Sequence, residues 1–232
     1  MGTKIQSEWH RLNQTVINCR LCPRLVKYRQ HVAEIKRRAY LNETYWGRPI
    51  IGCGDPRARL LIVGLAPAAH GANRTGRIFT GDGSANFLME GLYRTGFANQ
   101  PFSRARNDGL RFTDAYVTAI VRCAPPENTP LPQEIVNCRR YLLRELRLLT
   151  RMRVVLTLGQ IATQGFLKAW ETHHPEAPRI RVTFSHGGLY SLDSEHLLVM
   201  SYHPSRQNTQ TGRLTMAMLL SALRKARASC LR

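Results

Sequence analysis

Four short runs of consecutive apolar residues punctuate the chain: RLLIVGLA (59–66), AYVTAIV (115–121), RVVLTLG (153–159) and HLLVMSYH (196–203). They are rich in branched side chains and apolar at successive positions, which predicts strands buried on both faces. Between them the period changes. PQEIVNCRRYLLRELRLLT (132–150) spaces Ile135, Leu142, Leu143, Leu146 and Leu149 as one face of a helix. Helices are also predicted over 84–97, with Ser84 capping the first turn, and over 159–170 and 212–228. Alternation of strand and helix predicts an α/β fold with a four-stranded parallel sheet covered on both sides. Residues 1 to about 50 lack strand patterning and read as a basic helical arm. With no internal repeat and no long linker, the 232 residues are expected to form one domain.

An open parallel sheet builds its site beyond the carboxyl ends of its strands. Here those ends read GLAPAAHG, VRCAPPEN, LGQ and SYHPSRQN, loops of Gly, Ala and Pro interleaved with His, Asn and Arg. GLAPAAHG is neither a P-loop nor a dinucleotide fingerprint, which sets aside a nucleotide-binding enzyme.

Charge sharpens the picture. The chain has 34 Lys and Arg against 15 Asp and Glu, a formal net charge of +19. Such an excess points to a polyanion, nucleic acid before an anionic membrane surface. No apolar run is long enough to span a bilayer. The start, MGTKIQSEWHRLNQTV, has no uninterrupted apolar segment of a secretory signal, and Gln6 stands where a myristoylation signal has Ser or Thr. The expectation is a soluble, cytoplasmic, nucleoid-associated monomer, whose six cysteines are not a disulfide framework.

Cys19 and Cys22 form a CxxC pair with basic neighbours, and Cys123 and Cys138 follow far along the chain. Four thiolates suit zinc or an iron–sulfur cluster, and spacing alone leaves both open. One close pair with two dispersed cysteines leans toward a cluster, because a zinc ribbon usually supplies a second CxxC. Cys53 and Cys230 belong to no such pattern.

Five segments together resemble the uracil-DNA glycosylase superfamily, and its type-5 branch in particular. They are CRLCPRLV (19–26), GLAPAAHGANRTGRIFTGD (64–82), RCAPPEN (122–128), FSHGGLY (184–190) and HPSRQN (203–208). The resemblance implies a three-layer αβα fold and a structural [4Fe–4S] cluster on Cys19, Cys22, Cys123 and Cys138. It implies a monofunctional glycosylase that hydrolyses the N-glycosidic bond of uracil, and of hypoxanthine and hydroxymethyluracil, in double-stranded DNA, with single-stranded DNA as a second candidate substrate. The type-4 branch carries an acidic residue in the first loop and an Asn before the third cysteine. Here those places hold Leu65 and Ala66, and Ala119.

The chemistry then needs a donor for the leaving base and a carboxylate near the sugar. His203, at the end of the last strand, is the donor candidate; Asp82, in FTGDGS, is the carboxylate, with Asp55 as runner-up. Asp82 reads equally well as a turn and helix-start residue. Phe79 is the expected platform for an extruded base, Asn128 the reader of its polar edge, and the backbone at Leu65 and Ala66 a close neighbour of it. Arg74 and Arg77 are expected to meet phosphates, and Ser205 and Arg206 to flank the minor groove. The alternative is a non-catalytic nucleic-acid binding module with a structural metal.

Overall fold

The computed structural model describes residues 2–177 and 179–230. Its centre is the predicted parallel sheet, with strands β2 (Leu60–Gly64), β3 (Ala115–Ala119), β4 (Val154–Leu158) and β6 (Leu197–Ser201). Two short antiparallel strands that hydrophobic patterning does not reveal, β1 (Cys53–Gly54) and β5 (Leu189–Ser191), extend it to six, in the order β1-β3-β2-β4-β6-β5. Both edge strands are too short and too exposed to carry an apolar run. They pair with the outer parallel strands through backbone hydrogen bonds, which any sequence can make.

The continuous apolar runs follow from burial on both sides. In β2, Leu60 and Ile62 point into one core and Leu61 and Val63 into the other. The first core is closed by α4 (Gly83–Arg94) and α8 (Met216–Cys230) through Leu88, Leu92, Leu219 and Leu223. The second is closed by α5 (Pro132–Leu148) and α6 (Gln160–His173), and by α1 (Gly2–Ile17) from the N-terminal arm. Leu12 and Val16 of α1 are fully buried there, and Trp9 packs its ring 5.0 Å from that of Tyr116. The arm is therefore part of the core. It continues through α2 (Pro23–Ile35), which Pro23 starts.

Two helix starts differ from the sequence expectation. α4 begins at Gly83, and its cap is Asp82 rather than Ser84: the Asp82 carboxylate accepts from the Ala85 N–H at 2.9 Å. α8 begins at Met216, because Gly212, at a φ of +73°, turns the chain and Leu214 N–H bonds back to Asn208 O. Among the described residues no helix is long and apolar enough to cross a membrane.

A buried ion pair stands beneath the site. Arg122 lies 2.5 Å from Glu145, which also accepts from Thr118 at 2.8 Å, joining β3 to α5.

Candidate active site

The carboxyl ends of β2, β3 and β6 surround one cavity of about 540 Å³. Leu65, Ala66, Phe79, Asp82, Asn128, His203, Ser205 and Arg206 all line it. Residues separated by up to 141 positions in the chain thus share one space, which only the crossover topology can achieve.

Phe79 closes the bottom. Its backbone has a φ of +46°, rare for a residue with a side chain, and the strain aims the ring across the end of β2. Room for the ring comes from Gly64, where a Cβ would stand 2.8 Å from Phe79 Cζ. The other flat wall is His203, whose ring centroid lies 6.1 Å from that of Phe79, tilted by 32°. The imidazole is held through its backbone, since Asn208 donates to His203 O at 2.8 Å. Burial pushes the His203 pKa down from 6.5 to about 4, so the ring is neutral in ordinary solution.

Asp82 has two jobs to reconcile. One oxygen caps α4 and the other is pressed against Gly71, where a Cβ would fall 2.0 Å from Oδ2. Burial raises its pKa from the ordinary 3.8, opposed by the Ala85 and Ser84 N–H groups and the charge of Arg74. A carboxylate with raised pKa in a cavity beside a neutral imidazole is an acid–base arrangement. Asp55 is elsewhere: it accepts from Arg57 N–H at 2.8 Å and its own N–H bonds to Ala115 O, at the amino end of β3. It makes a turn.

The last wall is a 3-10 turn, Pro126–Asn128, with Glu127 and Asn128 both in the left-handed region at φ of +54° and +57°. Asn adopts this readily and Glu does not. Glu127 lines the cavity as a second carboxylate that the sequence reading passed over. Its signal was its place in a strand-end loop, beside Asn128. Ser205 and Arg206 stand at the rim. The Ser205 hydroxyl caps the short helix α7 (Arg206–Gln210) by accepting from Asn208 N–H at 3.3 Å, and Arg206 is exposed.

Arg74 and Arg77 are not at the surface, which corrects their reading as phosphate contacts. Arg74 donates to His70 O at 2.8 Å and to Gly81 O at 2.9 Å, pairs with Glu43, and stacks over Tyr40. Arg77 pairs with Asp108 at 2.8 Å and donates to Ser103 at 2.7 Å and Thr80 at 2.9 Å. The loop from 65 to 82 holds only one short helix, α3 (Ala72–Thr75), so its free carbonyls need other donors; Arg74 supplies two, while Arg77 ties the loop to Ser103, Arg106 and Asp108. Arg77→Met is expected to cost roughly 1.5–3 kcal/mol, because it removes charge-assisted bonds to Asp108 and Ser103 while Asp108 keeps the N–H groups of Arg104, Ala105 and Leu110; a urea midpoint lowered at constant slope would report it.

The four cysteines are also brought together. Cys19, Cys22, Cys123 and Cys138 belong to one apolar cluster, with three of them buried and Cys19 partly so. Burial first, and then the proximity of the other thiols, raises Cys123 to about 12 and Cys138 to about 11. Asn137 approaches Cys22 Sγ at 3.4 Å. Among the described residues no three His, Cys, Asp or Glu side chains are grouped so as to hold one metal ion. Cys53 lies in edge strand β1, and Cys230 is buried near the end of α8.

The family model of the uracil DNA glycosylase superfamily matches residues 51–227. A type-5 uracil-DNA glycosylase of Thermus thermophilus is 48% identical over 214 residues, 92% of this chain and 94% of the relative. One of Mycobacterium bovis is 48% identical over 217 residues, 93% and 80% of the two chains. One of Pyrobaculum aerophilum is 43% identical over 213 residues, 92% and 89%. Likeness of this extent reaches past the sheet into the cysteine-bearing arm, and by it the chain belongs to the uracil-DNA glycosylase superfamily, in its type-5 branch.

Proposed function

We propose that this chain is a uracil-DNA glycosylase that hydrolyses the N-glycosidic bond, releasing the free base and leaving an abasic site for base excision repair. The observation that carries the reading is the single cavity shared by Asp82, His203, Phe79 and Asn128. The extruded uracil stacks against Phe79, and the Asn128 amide offers both donor and acceptor to its edge. Neutral His203 donates an N–H to a uracil carbonyl as negative charge gathers on the leaving base. The Asp82 carboxylate faces the sugar, favours its developing positive charge, and takes the proton of the water that attacks C1′. The C1′–N bond breaks, the water oxygen joins C1′, and the base leaves with a proton. Small lining residues, Ala66, Ala68 and Ala72, support tolerance of hypoxanthine and hydroxymethyluracil. Arg206 at the rim is suited to fill or flank the gap left in the stack.

Gly71→Ala tests the placement of Asp82. The added methyl displaces Oδ2, and base release is expected to fall at least about tenfold with uracil affinity little changed, since sub-ångström misplacement is costly in catalysis.

The same reading assigns a [4Fe–4S] cluster to Cys19, Cys22, Cys123 and Cys138. Three buried thiols and a partly buried fourth, gathered in one apolar region, fit a cofactor that takes them as thiolates and supplies the compensating iron charge. When bound, the cluster supplies a cross-link between the N-terminal arm and the segments around Cys123 and Cys138.

The test is base release from a duplex carrying one uracil. Strand scission only after alkali is the expected result. Scission without alkali would mean a lyase, and tight binding without base release would leave a binding module.

A further inference from the structure

Two of the arginines beside the four cysteines are already neutralised by carboxylates. Arg24, near Cys22, pairs with Glu134 at 2.7 Å. Arg122, near Cys138, pairs with Glu145 at 2.5 Å. Arg29, near Cys123, pairs with no carboxylate among the described residues. It projects from α2 and is 3% exposed, yet it donates only to main-chain oxygens, those of Gly47 and, at 3.5 Å, Cys19. Its Nε has no hydrogen-bond partner among the described residues.

A buried cation without an anion is costly, and removing it from water is rarely offset by neutral carbonyls. The fold therefore needs a negative group beside Arg29, and among the described residues no carboxylate supplies it. Four thiolates around an iron–sulfur core leave that site net negative.

We propose that Arg29 is the buried counter-cation of the four-cysteine site, offsetting its net negative charge and raising its reduction potential. The inference rests on the cluster reading above. Arg29 touches neither the cavity nor the reacting atoms, so it acts on the cluster and not on base release.

The experiment uses the full-length holoprotein, purified without air, and compares wild type with Arg29→Gln and Arg29→Lys. Iron content and the one-electron midpoint potential are measured. Loss of positive charge favours the more oxidised, less negative cluster. Arg29→Gln is therefore expected to shift the potential downward by about 59 mV or more, a tenfold change in the equilibrium. Arg29→Lys, which keeps the charge but not the fork, is expected to stay close to wild type. Iron retained by Lys but lost by Gln would also support the assignment. An unchanged potential in Arg29→Gln at full iron content would overturn it. So would equal losses in both variants, which would make the fork to Gly47 and Cys19 the important feature. Wild type without iron would sink the cluster reading itself, and Arg29 with it, an outcome distinct from failure of Arg29 alone.

Discussion

Asp82→Asn loses base release by about 100- to 10,000-fold, roughly 3–5 kcal/mol of transition-state stabilisation, while its melting temperature stays level or rises. The two halves of this result come from the two oxygens of one side chain. As a helix cap, Asn is as good as Asp, so α4 keeps its first turn and the Ala85 bond. As a charge, the carboxylate is a cost to the fold. Burial raises its pKa in the folded chain, so Asp82 favours folding most below the ordinary value of 3.8. That contribution is lost as pH rises through the folded pKa. At neutral pH the ionised group is held against its preference, and the amide relieves this. Asp82→Ala separates the roles. It is equally inactive, but loses the cap and about 1 kcal/mol of stability. Single-turnover base release and thermal melts of both variants make the comparison. Substantial activity in Asp82→Asn would leave Asp82 as a cap alone, and Glu127 would become the carboxylate to change next.

His203→Ala is expected to reduce base release by about 100- to 1,000-fold, the usual loss when one donor to a developing anion is removed. The informative measurement is the pH profile. With its pKa lowered from 6.5 to about 4 by burial, His203 in the wild type is neutral across the working range. The rate should pass through pH 6.5 without a break from His203, and its acid limb combines protonation of Asp82 with that of His203 near 4. An acid or alkaline limb centred at 6.5 and removed by His203→Ala would mean that the cationic ring matters. Stability follows the same shift. A depressed histidine contributes stability above its unfolded pKa of 6.5, and this is lost as pH falls toward about 4. The Ala variant should therefore lose less melting temperature than wild type over that interval.

The two variants together distinguish assistance to the leaving base from activation of water. Residues acting as a unit are non-additive, so the double variant should fall well short of the product of the two losses.

Much of this was legible in the chain. The four parallel strands announce themselves because burial on both faces favours apolar residues at successive positions, as Leu60 to Val63 show, with hydroxyls such as Thr118 and Thr157 kept only where they find partners. The strand-end loops follow from them, and with the loops the candidates Asp82, His203, Phe79 and Asn128. The edge strands were not legible, because their stability comes from backbone pairing that no side-chain pattern records. Glu127 was passed over for a related reason. Its left-handed backbone is imposed by the turn around it and leaves no mark on residue type.

Arg74 and Arg77 show the boundary most clearly. Local sequence places two cations in a basic protein's site loop, and long-range attraction to phosphate is the natural reading. Only the tertiary structure reveals Glu43 and Asp108, 31 positions away from each in sequence, arriving to pair with them. What the sequence determined by itself was periodicity, loop chemistry and the residue types available for catalysis, because these are local properties. What the tertiary structure decided was which charges are spent inside the protein and which remain for a partner. Pairing, burial and pKa depend on distances between remote segments, and those exist only once the chain has folded.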